Sequence, residues 1–285
     1  MLKVNLNLNL RSSEGGFHKI KFPKTAEIES LNVNSNPYPI SIKDDMLVVP
    51  VIQGINYVMV EFNINQKLET IFKSPLVDLM SPSVNIEQKI NFSRWIFYAK
   101  GPLKGSVVMF WSMLPIWFVF SIMLGYFKIY PMKSWQWFLL FLGLSQVNFV
   151  INFVIISWFI FMGLRDKYSD KIKYKNLVQC LLAFLTIMFV VCLFVSIKSG
   201  LLGSPNMMIR GGGFNDNLFW YADASEGVIP EIMIISFSQM IYKAVMLLWS
   251  MWIALSFVKW IKWGINSYAK DGIWKAKDEK TEKSE

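Results

Sequence analysis

Few side chains in this sequence have the type and spacing that chemistry needs. The only histidine, His18, sits in an alternating segment after a Gly-Gly turn, with no nucleophile spacing around it, so acid–base work lacks a second member. It reads more plainly as a surface histidine. Cys180 and Cys192 lie twelve residues apart in one apolar run. On a helix they project about 120° from each other, so they neither bridge nor share a metal and read as packing residues. Lys243 is the one charge in the apolar run 232–258. An ionisable group inside a membrane costs at least about 2.5 kcal/mol, which makes a functional lysine the first suspicion. If the span instead begins at Ala244, the same side chain reaches the headgroup level.

Two further groups carry polar chemistry. Gln146, Asn148 and Asn152 are the amides of a second apolar run, and the i, i+4 spacing of the asparagines places them on one helix face. They can hydrogen-bond a neighbouring helix or line a polar transport path. The segment 199–230 holds GGG at 211–213, then Asp216, Trp220, Tyr221, Asp223 and Glu226. Glycines beside carboxylates can form an anion nest or a calcium site. The spacing fits neither a phosphate loop nor the twelve-residue calcium loop, and the aromatic–acidic mix also suits a protein partner. No acid–base pair, metal cluster or nucleotide loop is evident, so the expectation is a non-enzyme without cofactor or metal.

The elements that position these residues follow from composition. The 285 residues are 54 % apolar, 16 % aromatic and only 17 % charged, a balance suited to lipid rather than water. The net charge of +9 arises from basic residues that mostly bracket apolar runs, as membrane anchors do. Up to Gly101 there are 11 basic and 9 acidic residues, so no basic stripe is offered to nucleic acid.

The opening MLKVNLNLNLRSSEGG lacks the apolar stretch of a secretory signal and alternates as a strand with one wet face. Six strand-like runs precede residue 98: LKVNLNLNL, FHKIKF, EIESLNVN, SIKDDMLVVPV, INYVMVEFNIN and SVNIEQKINFSRWIFY. Turn formers separate them, among them Asp44 and Asp45. This pattern predicts a small N-terminal antiparallel β-sandwich, or an open barrel, over 1–100.

Beyond residue 101 the intervals between charges lengthen. There are 23 uncharged residues between Lys104 and Lys128, 31 between Lys133 and Arg165, and 22 between Lys175 and Lys198. Each exceeds the roughly 20 that cross a bilayer. With 232–258 they predict a transmembrane bundle of about four helices over 101–264, with spans near 105–127, 143–164, 176–197 and 244–263. The loop 199–230 lies outside the membrane. EIMIISFSQM reads as an amphipathic lead-in, and Lys259, Trp260, Lys262 and Trp263 as an interfacial belt. Residues 265–285 read as a charged, solvated tail.

The second run is too long for one upright span. Either 134–142 lies in the interface, or 143–148 breaks the run into a hairpin. Straight spans put the sheet domain, the basic segment 165–175 and the tail on one side, which is cytoplasmic by the positive-inside rule. The hairpin puts Lys128, Lys133, 165–175 and the tail inside and the sheet outside.

Several stretches carry a resemblance: RSSEGGFHKIKFPKTAEIESLNVN (11–34), SPLVDLMSPSVNI (74–86), SRWIFYAKGPLKGSVVMFW (93–111), LFLGLSQV (140–147), SGLLGSPNMMI (199–209) and LFWYADASEGVIPEIMIIS (218–236). In their order and spacing the chain resembles the C-terminal module of large, uncharacterised bacterial membrane proteins, in which a β-rich region precedes a few transmembrane helices. That resemblance brings no activity or site residues. It implies an extracytoplasmic sheet domain and a multi-pass protein of the bacterial inner membrane with a cytoplasmic tail. The combined expectation is a scaffold or partner-binding subunit of an envelope complex, in contact with lipid and with other membrane or envelope proteins. A transporter or channel component built on Lys243, Gln146, Asn148 and Asn152 is the alternative.

Overall fold

Strict alternation makes the first strand: in β1 (Leu2–Ser12) the even positions face inward and Lys3, Asn5, Asn7, Asn9 and Arg11 face water. The computed structural model describes residues 2–66, 69–91, 93–102, 104–127, 131–168, 175–212, 217–225, 227–270 and 272. After β1 come β2 (Gly16–Lys21), β3 (Ala26–Val33), β4 (Asn36–Pro37), β5 (Ile42–Lys43), β6 (Met46–Val51), β7 (Gly54–Ile64) and β8 (Ile71–Lys73). Then follow β9 (Val84–Lys89), β10 (Arg94–Lys100), β11 (Lys104–Gly105) and β12 (Val107–Val108). Helices α1 (Phe110–Tyr126), α2 (Ser134–Leu144), α3 (Phe149–Lys167) and α4 (Lys175–Leu202) intervene before β13 (Ile209–Arg210), β14 (Asn217–Ala222), β15 (Met233–Ser238) and α5 (Gln239–Ala269).

The protein is thus β plus α, and it divides into two compact units: Met1–Val108 with Met207–Phe237, and Met109–Asn206 with Ser238–Glu285.

In the first unit the longest sheet has the order β1-β7-β3-β4, all antiparallel, and a second has the order β2-β6-β5. Two-residue turns with positive φ at both positions close two hairpins, Asn34–Ser35 between β3 and β4 and Asp44–Asp45 between β5 and β6. Short polar side chains tolerate that conformation best after glycine. Inward residues of both sheets form one buried cluster, including Ile20, Leu47 and Val49 from one and Leu31, Val58, Val60 and Phe62 from the other.

Residues 207–237 complete this unit, which departs from the expected loop over 199–230. β14 lies between β11 and β9, and β15 lies between β10 and β8. EIMIISFSQM therefore holds a central strand rather than an amphipathic lead-in; its alternation has period 2, which over so short a run passes for a helix face. Arg94 fastens the return: Nε donates to Ser236 Oγ at 2.9 Å, and the terminal nitrogen donates to the carbonyls of Ser236 at 2.7 Å and Glu69 at 2.9 Å. Ser225 is buried and donates from Oγ to the Leu79 carbonyl at 2.8 Å.

The second unit has five helices among the described residues instead of four spans. Three are long and apolar enough to cross a membrane: α3, most of α4, and α5. The second apolar run breaks at 145–148, where Asn148 caps α3 by accepting from Val150 N–H at 3.0 Å. The first run is shortened because β11 and β12 occupy its start.

Neighbouring helices run antiparallel. Gly125, late in α1, lies against Ser134 at the start of α2, while Phe118 meets Phe138 at 5.7 Å between ring centroids. Trp137 in early α2 meets Phe159 in α3 at 5.2 Å. Trp158 of α3 donates to Thr186 of α4 at 3.0 Å and stacks on Phe189 at 4.0 Å. Gln179, early in α4, donates to the Tyr268 carbonyl, late in α5, at 3.1 Å. Hence the start of α1, the turn 145–148, the end of α4 and the start of α5 share one end of the bundle. There Gln146 Oε1 accepts from Asn206 N–H at 2.8 Å. The opposite end carries Lys133, Arg165, Lys167 and Lys270.

Trp260 is 2 % exposed and packs on Phe159 at 5.2 Å, so it belongs to the bundle interior rather than to an interfacial belt; Lys259 and Lys262 remain exposed. Close approach of α2 and α3 to α5 is possible because Trp249 fills the space a Cβ would need at Gly143, and Trp158 that at Gly264.

Removing Trp158 deletes a fully buried indole and a hydrogen bond. Trp158→Ala is expected to destabilise the helical unit by about 3–5 kcal/mol, read as a lowered thermal midpoint in detergent. An unchanged midpoint would contradict the packing described.

Candidate functional site

The residues singled out in the sequence do not gather at one place. Asp216 and Glu226 lie outside the described residues. Trp220 is 1 % exposed on the central strand β14, where its ring occupies the space beside Gly101 and Gly105. A Cβ at either glycine would overlap the indole. Trp220 is a core residue of its sheet and has no surface to offer. Tyr221 is half-buried, with the Lys104 ammonium 5.6 Å from its ring centre. Asp223 is exposed and pairs with Lys104 at 3.4 Å.

Among the intramembrane candidates, Lys243 is half-buried just over one turn into α5, at the end of the bundle that carries the turn 145–148. The expected span 244–263 is longer than drawn, because Ser238 caps α5 and starts it at Gln239. Gln146 and Asn148 belong to that turn, so the two asparagines do not share a helix face: Asn148 is a cap and only Asn152 is on α3. Asn152 Oδ1 is buried without a hydrogen-bond partner among the described residues. His18 sits on β2 opposite Val49. Cys180 is exposed and Cys192 half-buried on α4, both as free thiols. Among the described residues no three His, Cys, Asp or Glu side chains gather closely enough to hold a metal ion.

A surface that the sequence did not single out is the outer edge of the long sheet. β1 pairs with β7 along all 11 of its residues and has no second neighbour among the described residues. Its free side presents unpaired N–H and C=O groups, a ready template for another strand. On its inner face Val4, Leu6, Leu8 and Leu10 pack on the core yet stay only half-buried, so apolar area is left at the margin. Natural edges are usually blunted by proline, bulges or inward charges. β1 holds none of these, and its two charges, Lys3 and Arg11, point outward near its ends. Lys3 is held by Glu61 at 3.3 Å and Glu29 at 3.9 Å. Beside the edge, Ile55, Tyr57 and Met59 of β7 stand exposed opposite Arg11, Asn9 and Asn7. Alternation marks β1 as a strand; its place at an edge depends on which strands pair, and that has no local signal.

No protein-family model, curated protein or solved structure matches the chain.

Trp220 in β14 and Asp223 just after it separate a structural from a surface role. Trp220→Ala is expected to cost about 3–5 kcal/mol, whereas Asp223→Ala removes an exposed ion pair worth less than about 1 kcal/mol. Thermal melts followed by circular dichroism in detergent should rank them in that order, and equal losses would mean that the indole is not a core element.

Proposed function

We propose that this chain is a non-catalytic scaffold of a bacterial inner membrane complex, which binds a protein partner by strand addition at β1. The observation that carries the reading is the open 11-residue edge with its half-buried apolar margin. Main-chain pairing supplies affinity in this recognition mode, and alternate side chains supply specificity. The two sheets with a common core are read as a small sandwich, and the helical unit as its anchor in lipid. The resemblance to the C-terminal modules of large bacterial membrane proteins belongs to the same reading.

Sidedness supports it. β14 and β15 pair with strands that precede α1, so α1 to α4 must leave and return on one side, which requires an even number of passages. Straight spans give three between the sheet domain and residue 199, whereas the break at 145–148 gives an even number: α1 and the 11-residue α2 enter and return as a hairpin, and α3 and α4 cross and recross. Lys133, Arg165, Lys167 and Lys270 then lie at the other end of the bundle, and the positive-inside rule makes that end cytoplasmic. The sheet unit is extracytoplasmic on this reading.

In a background of Cys180→Ala and Cys192→Ala, Glu14→Cys and Ala224→Cys should react with an impermeant maleimide on intact cells, and Tyr168→Cys only after permeabilisation. Labelling of Glu14→Cys and Tyr168→Cys from the same side overturns the topology. For the function itself, Asn7→Pro removes a donor of the free edge, because Tyr57 turns its backbone groups to Asn34 on the β3 side and the odd positions of β1 therefore turn theirs away from β7. It should reduce the native size of the detergent-extracted complex while the helical unit keeps its melting transition; an unchanged size contradicts strand addition.

A further inference from the structure

The sequence of β1 is close to its own antiparallel complement. Written as LKVNLNLNLRS from Leu2, it can be laid against a second β1 in the register centred on Leu6. Leu2 then faces Leu10 of the other copy, Val4 faces Leu8, and Leu6 faces Leu6. On the outer face Asn5 meets Asn7 and Lys3 meets Asn9. Every apolar position opposes an apolar one, and amides oppose amides, a ladder that stacked asparagines favour.

Other registers fit less well. A shift by one residue sets leucine against asparagine throughout, since the side-chain period is 2. Centring on Asn7 sets Lys3 opposite Arg11, a like-charge pair that is unfavourable. Centring on Asn5 drops Leu10 from the pairing. The arrangement also closes: a two-fold axis normal to the sheet brings each β1 to the other and keeps both apolar faces on the same side.

We infer that the strand added at β1 is the β1 of a second copy of this chain, paired antiparallel about Leu6. The inference rests on the strand-addition reading above and names its partner. The result is one continuous sheet of eight strands, β4-β3-β7-β1 joined to its two-fold mate. The margin formed by Val4, Leu6, Leu8 and Leu10 becomes buried, and two long edges disappear at once.

The test uses the full chain in its native membrane, again with Cys180→Ala and Cys192→Ala as background. Leu6→Cys alone should form a disulfide-linked homodimer on mild oxidation. Leu2→Cys and Leu10→Cys should each fail alone, because in this register like positions are about 27 Å apart along the strands. Co-expressed, those two should cross-link to each other. Charge probes that leave the fold in place give a second reading. Asn9→Glu, placed opposite Lys3 of the other copy, should tighten self-association by roughly two- to thirtyfold, and Asn9→Lys should weaken it by a similar factor.

If Leu6→Cys yields no homodimer while Asn7→Pro still shrinks the native complex, the second copy is wrong and a different chain occupies the edge. If neither variant changes anything, strand addition itself fails. Homodimers of Leu2→Cys or Leu10→Cys alone would overturn the register.

Discussion

Backbone pairing between strands from opposite ends of the sequence governs this structure. β14 and β15 are not appendages: each is the middle strand of a three-stranded sheet whose outer strands come from before the first helix. A middle strand has both rows of its backbone groups committed, so 207–237 cannot be elsewhere without orphaning both neighbours. The helices between are therefore a closed excursion. The second apolar run breaks at 145–148, where Ser145, Gln146 and Asn148 supply caps and turn contacts in a run otherwise apolar enough to continue.

Within the excursion, aromatic rings and small residues carry the packing. Trp137, Trp158, Trp260, Phe159 and Phe189 interdigitate between four helices, and glycines leave room where rings cross. In lipid there is no hydrophobic gain from helix contact, so close fit and interhelical hydrogen bonds have to suffice. The bond from Trp158 to Thr186 and that from Trp249 to the Leu139 carbonyl, at 2.9 Å, are of this kind. At the basic end, buried Arg165 donates to the Lys270 carbonyl at 2.8 Å, and Lys270 pairs with Asp166 at 3.0 Å, tying the ends of α3 and α5.

Much of this was legible from local pattern. The alternation of 2–10, the Asp44–Asp45 turn, the apolar intervals between charges and the membrane character each depend on residues within one element. The strands β11 to β13 were not legible, because two-residue pairings have no periodicity to detect. β14 and β15 were misread for a different reason: Trp220 and Tyr221 in a loop-like, acidic context look like surface anchors until a distant strand is seen to flank them. Lys243 and the amides illustrate the same limit, since one extra turn of helix or one cap residue moves a side chain from a shared face to a separate role. The open edge of β1 is a property of topology and could only be found once its single neighbour was known.

The placement of β14 and β15 has a consequence for biogenesis. Their flanking strands leave the ribosome more than a hundred residues earlier, at a stage when the sheets lack their centres. These early strands must wait, half-assembled, until the helices between have been made. Completion of these sheets is thereby tied to synthesis of the intervening helices, and a chain that stops short of β14 and β15 leaves raw strand edges unpaired.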